Sequence, residues 1–306
     1  MRSAYADRKV FVTGDSGFKG RHLVTRLKQL GASTTGYSLP EHDVRNYRQL
    51  RKAIHGAEPD FVFHLAAQAF VPCGYTAPLT TWETNTLGTV NLLEAVRHLH
   101  RPCAVVVVTT DKVYGSGEDT HHEGSDLIPH CPYSASKIAA EHAVSTYRDS
   151  YDLLSRGIAI ATARAGNVIG PGDWGEGRLV PNAVRALRKG EPIRVFNPTA
   201  VRPWQYVSDV TDGYLRLGAA LKKEPERHVS AWNFGPNEHH SVREVVEQVI
   251  KSWGNGIWFH MPTEMRETQE LRINSIKARE ELDWYPRWEF HDMIAETISW
   301  YKSNPQ

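Results

Sequence analysis

The sequence has few cysteines, no excess of either charge and no long apolar segment. Its three cysteines, Cys73, Cys103 and Cys131, have no C-x-x-C spacing, which argues against a disulfide framework and against a zinc site. The 36 lysines and arginines balance 35 aspartates and glutamates, so no overall field attracts nucleic acid or an anionic membrane. No uncharged apolar stretch reaches about 18 residues, and residues 1–12 (MRSAYADRKVFV) contain no long apolar segment of a signal peptide. We therefore expect a cytoplasmic protein with reduced thiols and no nucleic-acid or membrane partner.

Short apolar runs alternate with segments of helical periodicity along the first half of the chain. Strands are predicted at residues 9–13, 33–39, 61–67, 104–110 and 158–170. Helices are predicted at residues 22–32, 47–54, 86–99 and 133–151, and at 241–253, where Ser241 and Glu244 have capping-box spacing. Alternating strands and helices favour an α/β fold with a doubly wound parallel sheet.

A glycine-rich turn, TGDSGFKG at residues 13–20, separates the first strand from the first helix. Its G-x-x-G-x-x-G spacing allows a tight turn and a close backbone approach to a pyrophosphate, and the helix N-terminus offers unpaired N–H groups. Glycines also end strands for structural reasons alone. In this context we expect a dinucleotide site formed by Gly14, Ser16, Gly17, Phe18 and Gly20.

The second strand lacks the acidic residue that usually binds the adenosine ribose. It ends Gly36-Tyr37-Ser38, with no nearby arginine for a phosphorylated ribose, so this feature leaves both NAD and NADP open. Asp43 and Val44 follow after a short loop and could flank the adenine. Asp43 could equally be a turn or N-cap residue.

Tyr133 and Lys137 are four residues apart, which places them on one face of a helix. There the ammonium could lower the phenol's pKa from about 10 towards neutrality. Such a tyrosine can take a proton from a sugar hydroxyl as hydride leaves for nicotinamide. Alternatively, this pair has no catalytic role and lies on a surface turn of a helix. The run Thr110-Asp111-Lys112, which follows a predicted buried strand, adds a hydroxyl, a carboxylate and an amine.

Several motifs occur in the order found in extended short-chain dehydrogenases/reductases. They are the glycine turn, His64-Leu65-Ala66-Ala67-Gln68, Tyr133 with Lys137, and RAGNV at residues 164–168. Within that superfamily the chain most resembles nucleotide-sugar 4,6-dehydratases, especially the CDP-glucose 4,6-dehydratases. This resemblance rests on GFKG (17–20), TDK (110–112), RAGNVIGPGDW (164–174) and RPWQYV (202–207).

The resemblance implies a Rossmann-like fold with a smaller C-terminal substrate-binding lobe. We expect residues 1–168 to form the dinucleotide-binding domain, with residues 204–235 returning to it. Residues 169–203 and 236–306 would form the nucleotide-sugar lobe. The resemblance also implies NAD as cofactor, with NADP not excluded, and it adds to the cofactor site Leu65, Ala66, Ala67, Gln68, Tyr133 and Lys137.

The family reaction oxidises sugar C4, eliminates water across C5 and C6, and returns the hydride to C6. By resemblance Thr110 bonds the 4-oxygen beside Tyr133, and Asp111 protonates the departing 6-hydroxyl. Lys112 takes part in the elimination, either as a base or as a cation that stabilises the C5 enolate. Alternatively, Asp111 and Lys112 have no catalytic role and only form an ion pair in a loop.

On the substrate side, Asn167, Arg178 and Arg202 resemble family positions that meet the nucleotide diphosphate. Trp174 and Trp204 could stack on the ligand, although packing is the simpler role for a tryptophan. A homodimer is implied, through the helices containing residues 92–96 and 133–143. The loop at residues 39–42 is shorter than in the CDP-glucose enzymes, which leaves the exact sugar nucleotide open.

The remaining histidines predict no metal site. His64 ends a buried strand and is interpreted as a structural residue. The pairs His121-His122 and His239-His240 lie in polar segments and are expected to face solvent.

Two other functions compete with dehydration. An epimerase or 4-keto reductase of the same superfamily would keep Thr110, Tyr133 and Lys137 without needing Asp111 and Lys112. A non-catalytic dinucleotide sensor would keep the glycines without needing Tyr133 and Lys137.

Overall fold

The computed structural model describes residues 1–115, 120–263 and 268–304, and within them the chain alternates strands with helices. The strands are β1 (Lys9–Thr13), β2 (Ser33–Tyr37), β3 (Phe61–His64), β4 (Cys103–Val108), β5 (Ile158–Ala165), β6 (Asn167–Ile169), β7 (Ile193–Val195), β8 (Val201–Arg202), β9 (Trp204–Tyr206), β10 (Ala231–Phe234), β11 (His240–Ser241) and β12 (Trp258–His260).

The helices of the first half are α1 (Arg2–Tyr5), α2 (Phe18–Gln29), α3 (Tyr47–Ala57), α4 (Val71–Thr76), α5 (Pro78–Trp82), α6 (Gly88–Arg97) and α7 (Pro132–Ser150). Those of the second half are α8 (Leu179–Lys189), α9 (Val207–Lys223), α10 (Pro225–His228), α11 (Val242–Trp253), α12 (Ile276–Leu282) and α13 (Phe290–Ser303). A π-helical turn, Glu83–Leu87, precedes α6, and a 3₁₀ turn, Asp111–Val113, follows β4.

Six parallel strands form the central sheet in the order β2-β1-β3-β4-β5-β10, which confirms the predicted doubly wound α/β fold. Every residue of β4 and β5 is buried, as expected for parallel strands covered on both faces. The strand order reverses between β1 and β3, where open α/β sheets bind ligands at the carboxyl ends of their strands.

Helices cover both faces of this sheet. One apolar cluster joins Leu23 and Leu27 of α2 with Leu215 and Leu217 of α9. A second cluster, on the other face, is built from α3, α6 and α7 and includes Leu50 of α3. The sheet is therefore held between two apolar layers, which fixes the positions of the loops that follow its strands.

The predicted strand at residues 158–170 is two strands in the structure. β5 stays in the central sheet, whereas β6 pairs with β9 in a separate two-stranded sheet. Gly166 lies at the break, and a Cβ there would collide with Pro203. The predicted capping box is confirmed, because Ser241 and Glu244 cap α11 reciprocally.

The C-terminal lobe has an apolar cluster of its own, built from β7, α8, α11 and α13. Between its two segments the chain returns to the sheet, since α9 packs on one face and β10 pairs with β5. This return supports the predicted lobe boundaries, which stay a prediction. Within the described ranges, no helix combines the length and apolar character needed to cross a membrane.

Candidate active site

The glycine turn lies against the end of β3. Gly14 has φ of 71°, and a Cβ on it would come within 2.7 Å of the Ala66 amide nitrogen. Gly17 is the N-cap of α2 and uses no side chain there, while a Cβ on Gly20 would collide with the Gly14 carbonyl. Ser16 and Phe18 sit between these glycines. The turn thus offers bare backbone and a helix N-terminus, which are the groups that fit a pyrophosphate.

The segment after β3 is tied to this turn. Leu65 N donates to Thr13 O at 3.0 Å, and Ala66 N donates to Thr13 Oγ1 at 3.2 Å. Gln68 fixes the position of the loop after β3. Its Nε2 donates to Thr81 Oγ1 at 2.9 Å, and its backbone N–H donates to Asn85 Oδ1. Ala67 lies between them, partly buried. The predicted cofactor residues of these two segments therefore meet at the ends of β1 and β3.

Asp43 and Val44 lie in the turn that leads to α3. Asp43 Oδ1 accepts from Arg45 N at 2.9 Å, and its carboxylate pairs with the Arg45 guanidinium. The hydrogen bond from Arg45 lowers the pKa of Asp43. Asn46, not Asp43, caps α3, and the Val44 side chain is buried in the core. Asp43 is therefore a turn residue with an ion pair and not the N-cap, and its place beside the adenine stays a prediction.

Thr110, Asp111 and Lys112 directly follow β4 and turn into a cleft. Thr110 Oγ1 donates to Asp111 Oδ1 at 3.0 Å and accepts from Lys112 N at 3.2 Å. Asp111 is 1% exposed, and its Oδ2 has no hydrogen-bond partner within the described residues. Within the same residues no ion pair joins Asp111 to Lys112, so the simple pairing of these two side chains is not what the structure shows.

Tyr133 and Lys137 lie in the first turns of α7, which starts at Pro132 and is capped by Cys131 and Ser134. Both side chains are buried, and Lys137 Nζ donates to Val108 O at 3.1 Å. Burial raises the pKa of Tyr133 to about 12, and a hydrogen bond with Thr110 opposes the rise. The pKa of the phenol is thus not lowered as expected in the protein alone, because loss of hydration outweighs the Thr110 hydrogen bond and the charge of Arg178.

Lys137 itself is strongly affected by its surroundings. Burial, together with the charge of Lys19, lowers the pKa of Lys137 to about 7. Lys19 comes from the glycine turn, and burial and the charge of Arg178 lower its pKa to about 8. The sequence analysis quoted GFKG only as a family motif and did not assign Lys19. The available signal was a lysine placed at the start of the helix that follows the glycine turn.

The predicted substrate residues, which follow β5 in the chain, line the same cleft. Arg178 Nη1 donates to Asp173 Oδ1 at 2.7 Å, and its guanidinium lies 4.8 Å from the Phe70 ring centroid. Arg202 is 4% exposed and donates to Val201 O at 2.8 Å. Asn167 starts β6 and also lines the cleft.

The cleft has a volume of about 470 Å³. Its lining includes predicted residues from both halves of the chain, namely Phe18, Thr110, Asp111, Lys112, Tyr133, Asn167, Arg178 and Arg202. It also includes groups that the sequence analysis did not assign, among them Lys19, Asp173, Arg194 and Phe196. Cations outnumber carboxylates in this lining, so the cleft favours an anionic ligand.

The histidines are only partly as predicted. His64 is buried between two hydroxyls, with Nδ1 2.7 Å from Thr13 Oγ1 and Nε2 3.1 Å from Thr89 Oγ1, which confirms its structural role. His121 was expected to face solvent, and this is wrong, because it is 3% exposed and stacks on Tyr114 at 4.8 Å. His239 and His240 are half-buried rather than solvent-facing, and His122 is exposed.

The described residues contain no group of His, Cys, Asp and Glu side chains arranged to hold a metal ion. The two tryptophans in the predicted motifs, Trp174 and Trp204, pack against other residues of the protein, which is the simpler of the two roles considered for them. The Trp174 ring contacts Tyr301 at 4.8 Å between centroids. Trp204 is 5% exposed and donates to His240 O at 2.9 Å, although it also borders the cleft.

Known proteins share this sequence and fold. The family model described as GDP-mannose 4,6 dehydratase matches residues 26–297. A CDP-glucose 4,6-dehydratase from Salmonella typhimurium is 33% identical over 332 residues, which cover 99% of this chain and 92% of that protein.

Solved structures show the same architecture. A dTDP-glucose 4,6-dehydratase from Bacillus anthracis, in complex with NAD, has a TM-score of 0.82 and 25% identity, and the match covers 96% of each chain. A UDP-glucose 4-epimerase from Thermus thermophilus, also in complex with NAD, has a TM-score of 0.84 and 28% identity over 96% of this chain and 98% of that one. Because the family model spans most of the sequence, the chain belongs to the GDP-mannose 4,6-dehydratase family.

Proposed function

We propose that this chain is an NAD-dependent nucleotide-sugar 4,6-dehydratase, a hydro-lyase that converts an NDP-hexose to the NDP-4-keto-6-deoxyhexose. The observation that carries the proposal is the buried carboxylate of Asp111. It lines one cleft with Thr110 and Tyr133, and its Oδ2 has no hydrogen-bond partner within the described residues. A simple oxidation at C4 has no use for that carboxylate, whereas loss of the 6-hydroxyl needs an acid there.

The cofactor site fits NAD. A side chain at Gly14 would fill the space between the turn and Ala66, so the turn leaves its backbone open to a pyrophosphate. NAD, when bound, supplies the acceptor and later the donor of the hydride. The protein's part at this stage is to hold the dinucleotide on the ends of β1 and β3 and to position the sugar against it.

Tyr133 is the residue that takes the proton from the 4-hydroxyl. Because burial raises its pKa to about 12, ionisation of the phenol has to be favoured when the ligands bind. Lys137 lies buried one turn along the same helix, and its ammonium, when protonated, is placed to do so. Thr110 hydrogen-bonds the 4-oxygen and shares the cleft with the phenol.

Elimination then uses the two residues that follow Thr110. Asp111 donates a proton to the departing 6-hydroxyl, and its buried position excludes water from that transfer. Lys112, which is only partly buried, removes the C5 proton as a base or stabilises the developing C5 enolate as a cation. The two roles of Lys112 are separated by the substitutions described in the Discussion.

A nucleoside diphosphate fits the cationic side of the cleft. Arg178 and Arg202 are the arginines suited to phosphate contacts, and Asn167 lines the same cleft. CDP-glucose is the favoured substrate, supported by the 33% identity to the Salmonella typhimurium CDP-glucose 4,6-dehydratase over nearly the whole chain.

The test is mass spectrometry of sugar nucleotides after incubation with the purified protein and NAD. The panel contains CDP-, dTDP-, GDP- and UDP-hexoses. Loss of one water from a single member identifies both the reaction and the substrate. Interconversion of sugar isomers without loss of water would instead support an epimerase, the alternative favoured by the similarity to the Thermus thermophilus enzyme.

We also propose a homodimer in the cytoplasm. The three cysteines are unpaired thiols, which suits a reducing compartment. Of the dimer helices predicted from the sequence, α6 turns Leu92 and Val96 into its own core. The exposed apolar side chains lie just before it, where Leu79 is 71% exposed and Leu87 is 55% exposed. These two residues are the surface on which a second copy of the chain would pack.

A further inference from the structure

A carboxylate from the glycine turn, that of Asp15, lies beside the end of β2. Ser38 Oγ donates a hydrogen bond to Asp15 Oδ1, and Ser16 N donates to Ser38 Oγ at 3.3 Å. Asp15 lies in the glycine turn, directly after Gly14, whose N–H donates to Tyr37 O at 3.0 Å. These hydrogen bonds hold the glycine turn against the end of β2. The Asp15 carboxylate therefore lies beside a strand whose own last residues carry no carboxylate.

Gly36 leaves room for this carboxylate. It pairs with Val12 across the sheet, and a Cβ on it would collide with both carboxylate oxygens of Asp15. Gly36 does not have a positive φ, so its backbone conformation is open to other residues. Its lack of a side chain is therefore explained by the space that Asp15 occupies, not by the turn of the chain.

The charges around this carboxylate are unfavourable to a phosphate. No salt bridge within the described ranges joins Asp15 to a lysine or an arginine. Arg45, in the nearby turn after β2, is engaged by Asp43 at 2.6 Å and by Glu83 at 3.5 Å. A phosphoryl group brought to the end of β2 would meet the Asp15 charge without a free guanidinium to balance it.

We infer that Asp15 is the residue that reads the adenosine ribose of the dinucleotide and makes the site selective for NAD over NADP. This inference rests on the proposed function, since it needs a dinucleotide on the glycine turn. In most such folds the acidic residue ends the second strand. Here the glycine turn supplies it instead, and the carboxylate accepts a hydrogen bond from a ribose hydroxyl while repelling a 2′-phosphate.

The test is the dissociation constant of NAD and of NADP, measured by titration calorimetry on the full chain freed of nucleotide carried through purification. Asp15→Asn keeps the shape and an acceptor for Ser38 but removes the charge. We expect NAD to bind about tenfold more weakly and NADP about tenfold more tightly in this variant, since a hydrogen bond to a charged group is lost together with a repulsion.

Two further variants keep the inference falsifiable. Ser38→Ala retains the carboxylate, so it should keep the preference for NAD to within about twofold. Glu41→Gln removes an exposed charge from the same loop as a matched control and should leave both constants unchanged. Melting temperatures of all three show whether each variant is folded.

An unchanged ratio of the two constants in folded Asp15→Asn would overturn the inference, and so would a Ser38→Ala variant that gains NADP. A wild-type chain that binds neither dinucleotide would overturn the inference together with the cofactor assignment. Selective NAD binding with no dehydration of any sugar nucleotide would overturn the proposed reaction alone.

Discussion

Arg164 Nε donates to Glu141 Oε1 at 2.9 Å, and both side chains are buried. The same carboxylate accepts from Thr109 Oγ1 at 2.5 Å and from Thr162 Oγ1 at 2.6 Å. This pair therefore joins α7, which carries Tyr133, to β4 and β5. Burial tends to raise the pKa of Glu141, but the Arg164 charge and these hydrogen bonds outweigh it and hold the pKa below its ordinary value.

Glu141→Gln should destabilise the protein strongly. The substitution leaves the Arg164 charge buried without its partner, which typically costs about 3–5 kcal/mol in the free energy of unfolding. Urea denaturation followed by circular dichroism measures this loss. The matched control is Glu247→Gln, which breaks the exposed pair with Arg243 and should barely change stability. Equal effects of the two substitutions would contradict a structural role for the buried pair.

Stability should rise between about pH 7 and pH 10, and Lys19→Met should weaken that rise. Burial lowers the pKa of Lys137 to about 7 and that of Lys19 to about 8, whereas in the unfolded chain both stay charged to about pH 10. The unfolded state then binds more protons in this window, so the free energy of unfolding increases with pH.

Lys19→Met removes one of these groups and the repulsion that lowers the other. Melting temperatures at pH 7 and pH 9 measure the effect, with Lys28→Met, an exposed substitution on the same helix, as the control. A pH dependence that is the same in Lys19→Met and wild type would show that the two lysines are not the source.

Lys112→Ala should stop elimination while oxidation at C4 survives. We expect product formation to fall by about 10²- to 10⁴-fold, the usual contribution of a positioned acid or base. Mass spectrometry detects the dehydrated product, and absorbance detects reduced cofactor that accumulates instead. Lys112→Arg separates the two roles, because a cation is retained by arginine and a base is not. An unchanged yield in Lys112→Ala would remove this residue from the reaction.

Asp111→Asn should retain C4 oxidation and lose dehydration by a similar factor, about 10²- to 10⁴-fold. The amide has nearly the same shape and cannot protonate the departing hydroxyl. Product analysis by mass spectrometry is the measurement, and Asp126→Asn, an exposed carboxylate, is the control. Full dehydration by Asp111→Asn would show that this carboxylate is not the acid of the elimination.

Leu79→Glu with Leu87→Glu should convert the proposed dimer to a monomer, because two charges would be placed in an apolar contact. Light scattering after size-exclusion chromatography measures the mass of the particle. Ile257→Glu, at another apolar side chain that is 67% exposed, is the control. A wild-type chain that is already monomeric would contradict the dimer directly.

Local patterns predicted much of the fold correctly because they depend on neighbouring residues. β1, β3 and β4 were identified from short apolar runs, and the capping box of α11 from two residues three apart. The break between β5 and β6 was missed, since it comes from the contact of Gly166 with the distant Pro203. The burial of His121 was missed because it depends on the stacking of its ring on Tyr114, which the spacing of residues along the chain does not specify.

The sequence by itself determined the order of strands and helices, the glycine turn and the candidate catalytic residues, because each is a pattern of residues close in the chain. Only the tertiary structure decided that Lys19 enters the cleft, that burial raises the pKa of Tyr133, and that Asp15 supplies the carboxylate missing from β2. These features depend on which groups are brought together by elements distant in the chain and on how much water those elements exclude. The spacing of residues along the chain predicts neither.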